Sequence, residues 1–369
     1  MKGYYFKKVL SSLFVLFVII SLNFFLPRMI FTDPAQPYFV GIPEDAIALR
    51  EQIREEYGFH KPLFTQYVEY LGRVVTLDFG ESHYYKESVW TVMFSRIPWS
   101  MVLTVSSMIL SVAFGILFGA YAGIHRNKTA DKILLWLSGI TTAIPSFWLA
   151  MVCVMLFGFS LKLFPYRGAM TPGYTLVMDS QLFFMVLMIG FALSILCKVL
   201  TKKTMYLFGG GTISLIVALV VSVPMADLMD VAYHATLPVL ISAFSGVISY
   251  ALLVRNSMIA VSNEDYILTA RAKGLPAHTV LYKHTLRNAL LPLITNVGMS
   301  MAGLMGGSVL LEKIFSWPGM GQLLLEACNT GDYLLSQAIL LLFAIITVVC
   351  NFLTDLVYHK FDPRAKEVV

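Results

Sequence analysis

Residues 264–292 hold the types and spacings best suited to do work in this chain: Glu264-Asp-Tyr-Ile-Leu-Thr-Ala-Arg-Ala-Lys-Gly274-Leu-Pro, then His284-Thr-Leu-Arg-Asn-Ala-Leu-Leu-Pro292. Their chemistry is recognition rather than bond-making. Ser262 and Asp265 have the spacing of a capping box, and Asn263 is an equally good cap. Glu264 and Asp265 fall in the first turn and Arg271 and Lys273 in the last, each where the helix dipole favours that charge. Gly274 suits the position just past a helix end, and Pro276 blocks continuation. Ala270 and Ala272 leave a low, smooth surface. The stretch is polar between apolar segments, so it must lie at or outside one membrane face. A short, capped helix held there is suited to seating in a groove on a partner protein.

Bond-making motifs are missing from the sequence. It has no Walker A motif, so the chain cannot hydrolyse ATP alone and is not expected to bind a cofactor. No H-E-x-x-H or G-x-S-x-G occurs, and Gly209-Gly-Gly211 is not followed by Gly-Lys-[Ser/Thr]. Cys153, Cys197, Cys328 and Cys350 are far apart, which indicates neither a disulfide framework nor a zinc site. The apolar spans are nearly free of ionisable residues, with Arg255 and Asp355 near their ends. A proton-coupled transporter or a channel with a charged filter would need such residues inside. The spans offer neutral groups instead: Thr104, Ser106, Ser107, Ser111, Ser242, Ser245, Ser249, Tyr250, Thr295, Asn296, Ser300 and Asn351, interleaved with Met299, Met301 and Met305. Hydroxyls and amides can exchange hydrogen bonds with a peptide, and methionine adapts to varied side chains. Ser245, Ser249, Thr295, Asn296, Met299 and Ser300 are accordingly candidate pathway residues. The alternative is ordinary packing, with each hydroxyl bonded back to its own helix.

The elements that position these residues are apolar spans. The chain is 57% hydrophobic and 13% charged, with a mean hydropathy of +0.73. Soluble domains carry about a quarter charged residues, so this is an integral, all-α polytopic membrane protein. The net charge of +5 is modest and indicates no nucleic-acid partner. Eight runs approach the length that crosses a bilayer: 9–31, 99–123, 133–159, 182–200, 206–224, 236–256, 289–311 and 335–357. The first is a retained helix, because Leu26-Pro27-Arg28 offers no cleavage site. With the N-terminus inside and eight alternating crossings, 17 of the 27 Lys+Arg fall on the inner side, as the positive-inside rule requires. Both termini, the 257–288 loop and Lys202-Lys203 are then cytoplasmic.

The chain divides into an N-terminal helix (1–31), an external segment with short helices near 43–57 and 62–76 (32–98), a membrane core (99–311), an external connection (312–334), and a last helix with its tail (335–369). The core includes an apolar hairpin, 182–224, that reads as an accessory element. Gly298, Ala302 and Gly306, with Gly303 and Gly307, predict close helix packing. Trp317 in Trp-Pro-Gly-Met-Gly321 is expected to anchor the connection at the lipid headgroups.

The run T-A-R-A-K-G-L at 269–275, followed by H-x-L-R-N-A-L-x-P, resembles the cytoplasmic coupling (EAA) loop of ABC importer permeases. The likeness is to the oligopeptide, dipeptide and nickel family, of the first-permease type. Leu268 and Thr269 stand where the general pattern has glutamate and alanine, a departure usual within the peptide branch. The resemblance extends to Glu312-Lys-Ile-Phe-Ser-Trp-Pro-Gly-Met-Gly321 and Phe361-Asp-Pro-Arg364. Upstream it covers Asp33-Pro-Ala, Leu49-Arg, Tyr57-Gly-Phe-His-Lys-Pro62, Gln66-Tyr67 and Asp78-Phe-Gly-x-Ser82. Residues 179–233 do not match. The resemblance implies the type I transmembrane-domain fold of an ABC importer in the cell membrane. It also implies a second homologous permease, two ATPase subunits carrying ATP and Mg, an external binding protein and a peptide substrate. Glu264, Asp265, Thr269, Ala270, Arg271, Ala272, Lys273 and Gly274 would couple to the ATPases. A nickel or other small-solute importer is the alternative within the family. A secondary transporter is disfavoured by the lack of membrane carboxylates, and a membrane scaffold by the coupling loop.

Overall fold

The computed structural model describes residues 2–30, 48, 51, 54–55, 58–171, 180–201, 205–221, 225–301 and 309–361. Among them the regular structure is helical, with one isolated bridge between Glu81 and Ser88. Four helices contain segments long and apolar enough to cross a bilayer: Lys7–Phe25, Val89–Ile124, Asp227–Ser262 and Tyr333–Thr354. The pair Thr129–Ala143 and Ser146–Ser160 makes a fifth if taken as one broken span. Parts of the expected spans 206–224 and 289–311, and most of the external helix expected at 43–57, lie outside the described residues.

The chain forms two compact units. The first comprises Met1–Met93, Thr295–Val309 and Met320–Val369. In it α1 (Lys2–Ile30) packs along the last long helix, Tyr333–Phe361. Both carry a buried amide facing the other's backbone: Asn23 Nδ2 donates to the Gln337 carbonyl at 2.8 Å, and Gln337 Nε2 to the Asn23 carbonyl at 3.2 Å. Helix α2 (Leu63–Thr76) matches the second external helix predicted from sequence. It seats Tyr67 and Tyr70 against the fully buried Phe24 ring of α1. After α2, the buried Asp332 carboxylate accepts from Ser82 Oγ at 2.5 Å and the Tyr84 N–H at 3.1 Å. Its other oxygen accepts from the Leu335 N–H, which caps the start of the last helix.

The second unit comprises Phe94–Ile294 and Leu310–Gly319. Its frame is α3 (Val89–Ile124), α4 (Thr129–Ala143), α5 (Ser146–Cys153, continued by a π-helical turn Val154–Ser160), the hairpin α6 (Ser180–Thr201) and α7 (Met205–Val221), and α8 (Met225–Ser262). Helices α4 and α5 meet at 98°, so the single straight span expected over 133–159 is bent. Pro145 is the cause: it has no N–H, and it holds Ile144 in an extended conformation that ends α4.

Along α3, Ser111, Gly115, Gly119 and Gly123 recur every fourth residue and meet Gly246, Tyr250–Ala251, Val254 and Met258 of α8. A Cβ on Gly115 would lie 2.6 Å from the Tyr250 Cβ, and one on Gly123 2.8 Å from the Met258 Cβ. One on Gly119 would overlap the Ala251 carbonyl oxygen. This is small-residue packing that brings two backbones together. The packing expected at Gly298 also occurs, against Thr354 in the first unit. Ala302, Gly303, Gly306 and Gly307 lie outside the described residues.

The hairpin packs on itself in the same way. Gly190 of α6 meets Ser214 of α7, and Ser194 of α6 meets Gly210 of α7. Its Met185, Met188, Ile189, Phe191, Leu193 and Ile213 are exposed.

Trp317 does not anchor at an interface. It is fully buried, its indole N–H donates to the Trp99 carbonyl at 2.8 Å, and the two rings meet edge to face at 5.7 Å. Ser316, at φ +49°, turns the chain inward, and a buried indole N–H needs such a partner. Beneath the turn the buried Glu312 accepts from Ser100 Oγ at 2.8 Å.

Candidate functional site

The polar stretch folds as a short helix, α9 (Asp265–Ala272), slung under the end of α8. Its start departs from the capping-box expectation. Ser262 ends α8, and its hydroxyl donates to the Met258 carbonyl at 2.6 Å rather than to α9. Glu264 is the cap residue, in an extended conformation and without a side-chain cap bond. Its carbonyl accepts the Ile267 and Leu268 N–H groups at 2.9 and 3.4 Å. The chain leaves α8 through a tight turn, with Asn263 N–H bonded to the Ala260 carbonyl and Glu264 N–H to that of Val261. That turn consumes the residues a side-chain cap would have used.

The end of α9 follows the sequence expectation. Gly274 has φ +72°. Its N–H donates to the Arg271 carbonyl at 2.9 Å, and the Leu275 N–H to the Ala270 carbonyl at 3.4 Å. This double closure is a Schellman motif, which requires a left-handed residue at the position Gly274 occupies. Pro276 then starts the next helical turn, Ala277–Thr279.

Burial separates two faces of α9. Ile267 and Ala270 point inward and pack with Val280 and Val261, so Ala270 lies against the chain's own scaffold. Facing outward are Asp265, Thr269, Arg271, Ala272, Lys273 and Gly274, with Glu264 half-buried. Three large apolar groups not expected from the sequence are exposed on this surface: Tyr266, Leu268 (55% exposed) and, beyond the turn, Tyr282 (62% exposed). The signal was present, because Ile267 and Ala270 at three-residue spacing claim the inward side and leave Leu268 on the outside. Arg271, Lys273, His278, Lys283 and Arg287 of the same stretch are also exposed.

The segment after α9 stiffens it. Val280–Leu286 forms a π-helical turn, closed inside by Thr285 Oγ1 donating to the Val280 carbonyl at 3.1 Å. Asn288 Nδ2 then donates to the Tyr266 hydroxyl at 2.9 Å and straps this segment to α9.

The candidate pathway residues fall on two helices. Ser245, half-buried, and Ser249, exposed, lie one turn apart on α8. On α10 (Leu291–Ser300), Thr295 is half-buried, and Asn296, Met299 and Ser300 are exposed. Several hydroxyls bond back to their own helices: Thr104 to Ser100, Ser107 to Thr104, Ser111 to Ser107, and Ser300 to Asn296. Among the described residues, no group of three His, Cys, Asp or Glu side chains could hold a metal ion.

Residues 115–367 match the family described as "Binding-protein-dependent transport system inner membrane component", and residues 1–104 match its N-terminal companion. The chain is 30% identical over 365 residues to the oligopeptide transport system permease protein AppB of Bacillus subtilis, covering 99% of both chains. It is 29% identical to the di/tripeptide transport system permease protein DppB of Pseudomonas aeruginosa, over 95% of this chain and 94% of that one. It is 28% identical to the glutathione transport system permease protein GsiC of Escherichia coli K12, over 99% of both.

Proposed function

Because the chain belongs to the family of binding-protein-dependent transport system inner membrane components, we propose that it is a transmembrane permease subunit of an ATP-driven importer of peptides. The relatives named for oligopeptide, di/tripeptide and glutathione transport support a peptide substrate. The full complex would hold a second homologous permease, two ATPase subunits with their ATP and Mg, and an external binding protein.

The observation that carries the coupling role is the outward face of α9, where Leu268 stands exposed on a helix closed by the Schellman turn. Tyr266, Leu268 and Tyr282 are exposed in this one polar loop, and clustered exposed apolar groups mark a contact site for a partner. ATP-driven closure of the ATPases would push on this helix, and the pathway would alternate between outward and inward access. The helix must contact the two ATPase states differently, since equal binding to both moves nothing. Ser245, Ser249, Thr295, Asn296, Met299 and Ser300 are the residues proposed to meet the peptide.

The direct test is uptake of labelled peptides by proteoliposomes holding the complete complex, its binding protein outside and ATP inside. Uptake that needs both ATP and binding protein is expected; uptake driven by a proton gradient alone would overturn the reading. Topology is tested separately. A cysteine replacing Lys203 in an otherwise cysteine-free chain should resist an impermeant thiol reagent in intact cells and react once the membrane is opened. Labelling from outside would refute the eight-crossing arrangement with cytoplasmic termini.

The hairpin α6–α7 is proposed to be accessory. Its small residues pack against each other and its exposed surface is apolar. Removing 182–224 with a short flexible join takes out two crossings together and keeps the orientation of α8. Peptide uptake comparable to the parent is expected, since the hairpin packs on itself and carries none of the proposed pathway residues. An assembled complex that no longer transports would show that the hairpin does more.

A further inference from the structure

The second unit holds an ion pair, Asp131 buried and Arg255 half-buried, that links helices far apart in sequence. Asp131, in the first turn of α4, is 1% exposed. Its two oxygens accept from Arg255 of α8, Oδ1 from Nε at 2.7 Å and Oδ2 from Nη2 at 2.9 Å. Oδ2 also accepts the Asn127 N–H at 2.8 Å. Asn127 sits at φ +65°, in the bend between α3 and α4, so this bond helps to hold a left-handed backbone in place. Arg255 Nη1 donates to Asn256 Oδ1 at 2.9 Å. The guanidinium and the carboxylate are thus held in one geometry by several bonds. Next to them Gly123 brings the end of α3 against Met258 and the Arg255 carbonyl.

The same stretch of α8 carries the coupling helix. Arg255, Met258 and Val261 follow at three-residue spacing, and Val261 packs under Ile267 and Ala270 of α9. The end of α8 therefore joins α9, packed on Val261, to α4, bonded through Arg255, and to α3, packed on Met258. A buried ion pair is weak evidence of stability, because apolar residues of the same volume often do as well. A paired fork and carboxylate satisfy each other in one register only, whereas apolar contacts tolerate sliding.

We propose that Asp131 and Arg255 are positioning residues for energy coupling. They lock α4 and the α3–α4 bend to the end of α8, so that displacement of α9 moves these helices together. Without the lock, the end of α8 shifts alone and ATP is hydrolysed without transport. The inference rests on the coupling role proposed for α9.

The test uses the complete transporter in proteoliposomes and reads peptides moved per ATP hydrolysed. Asp131→Asn alone leaves the half-buried Arg255 charge without its anion, so it is expected to reduce assembly. The informative variant is the double Asp131→Asn, Arg255→Gln, which keeps hydrogen-bonding partners of similar size and no buried charge. It is expected to assemble at parental levels and to hydrolyse ATP at a comparable rate. Its peptides per ATP should fall about fivefold or more, the low end of an ordinary coupling between sites. A parental ratio in the double variant would overturn the proposal. Failure of the double variant to assemble would overturn it equally, because the pair would then serve folding alone. The companion variant Leu268→Glu separates this from the coupling reading itself. If it leaves the ATPases bound and transport intact, the role of α9 fails. If it strips them while the double variant keeps the parental ratio, only the role of the ion pair fails.

Discussion

Gly119→Ala is expected to destabilise the protein by about 3 kcal/mol, near the upper end of the usual cost of overpacking a filled interior. The added methyl would overlap the carbonyl oxygen of Ala251 and crowd the Val254 Cβ. Neither can swing away, because one is backbone and the other is fixed to backbone. Helices α3 and α8 would have to separate, and Gly115 and Gly123, one turn to either side, would lose their contacts with them. Gly119→Val should prevent assembly. The control is Gly139→Ala in α4, where nothing lies within 4 Å of the new atom. There alanine should gain about 0.5–1 kcal/mol from its better helix propensity. Thermal unfolding of the purified chain in detergent measures all three. Equal effects at Gly119 and Gly139 would show that the two helices do not touch as described.

Leu268→Glu is expected to abolish peptide uptake, by at least about a hundredfold if Leu268 is a buried anchor of the partner contact, since such anchors cost roughly 2–4 kcal/mol or more when lost. Leu268 is 55% exposed in this chain, so the change should not disturb folding. The ATPase subunits should no longer co-purify, while the binding protein still takes up peptide. Gly274 probes the same surface through the backbone. At φ +72° a Cβ meets nothing within 4 Å, so the penalty for a side chain is conformational. A β-branched residue there costs about 1–2 kcal/mol or more, enough to open the Schellman closure. Gly274→Val should therefore lose transport, whereas Gly274→Asn, which tolerates the left-handed region, should keep most of it. Parental uptake by both Leu268→Glu and Gly274→Val would end the coupling assignment.

What could be read from the sequence followed from local chemistry. Gly274 and Pro276 announced the end of α9, because a left-handed glycine followed by proline leaves the backbone little choice. The long helices α1, α3, α8 and Tyr333–Phe361 followed from apolar length. The start of α9 was misread because Ser262, Asn263 and Glu264 were shared between two helix ends, and spacing alone cannot say which end takes the hydroxyl. Trp317 was misread because aromatic residues at membrane interfaces and in cores look alike until a partner such as the Trp99 carbonyl is found. The Asp131–Arg255 pair joins positions 124 residues apart, which no local pattern reports. The Gly115, Gly119, Gly123 repeat is as legible in the sequence as the spacing at Gly298.

The distances along the chain between paired buried groups set an order of events during synthesis. Asn23 finds its partner in Gln337, 314 residues later. Ser100 and Trp99 wait for Glu312 and Trp317 across 212 and 218 residues. At ordinary translation speeds of about 5–20 residues per second, Asn23 spends roughly 15–60 s without its partner after it is made. During that interval the Asn23 amide can meet only the Tyr70 hydroxyl of α2, 47 residues on, which it contacts at 3.1 Å in the finished fold. Helix α2 thus holds one side of the α1 amide early, and the last span completes the exchange with Gln337 when it arrives.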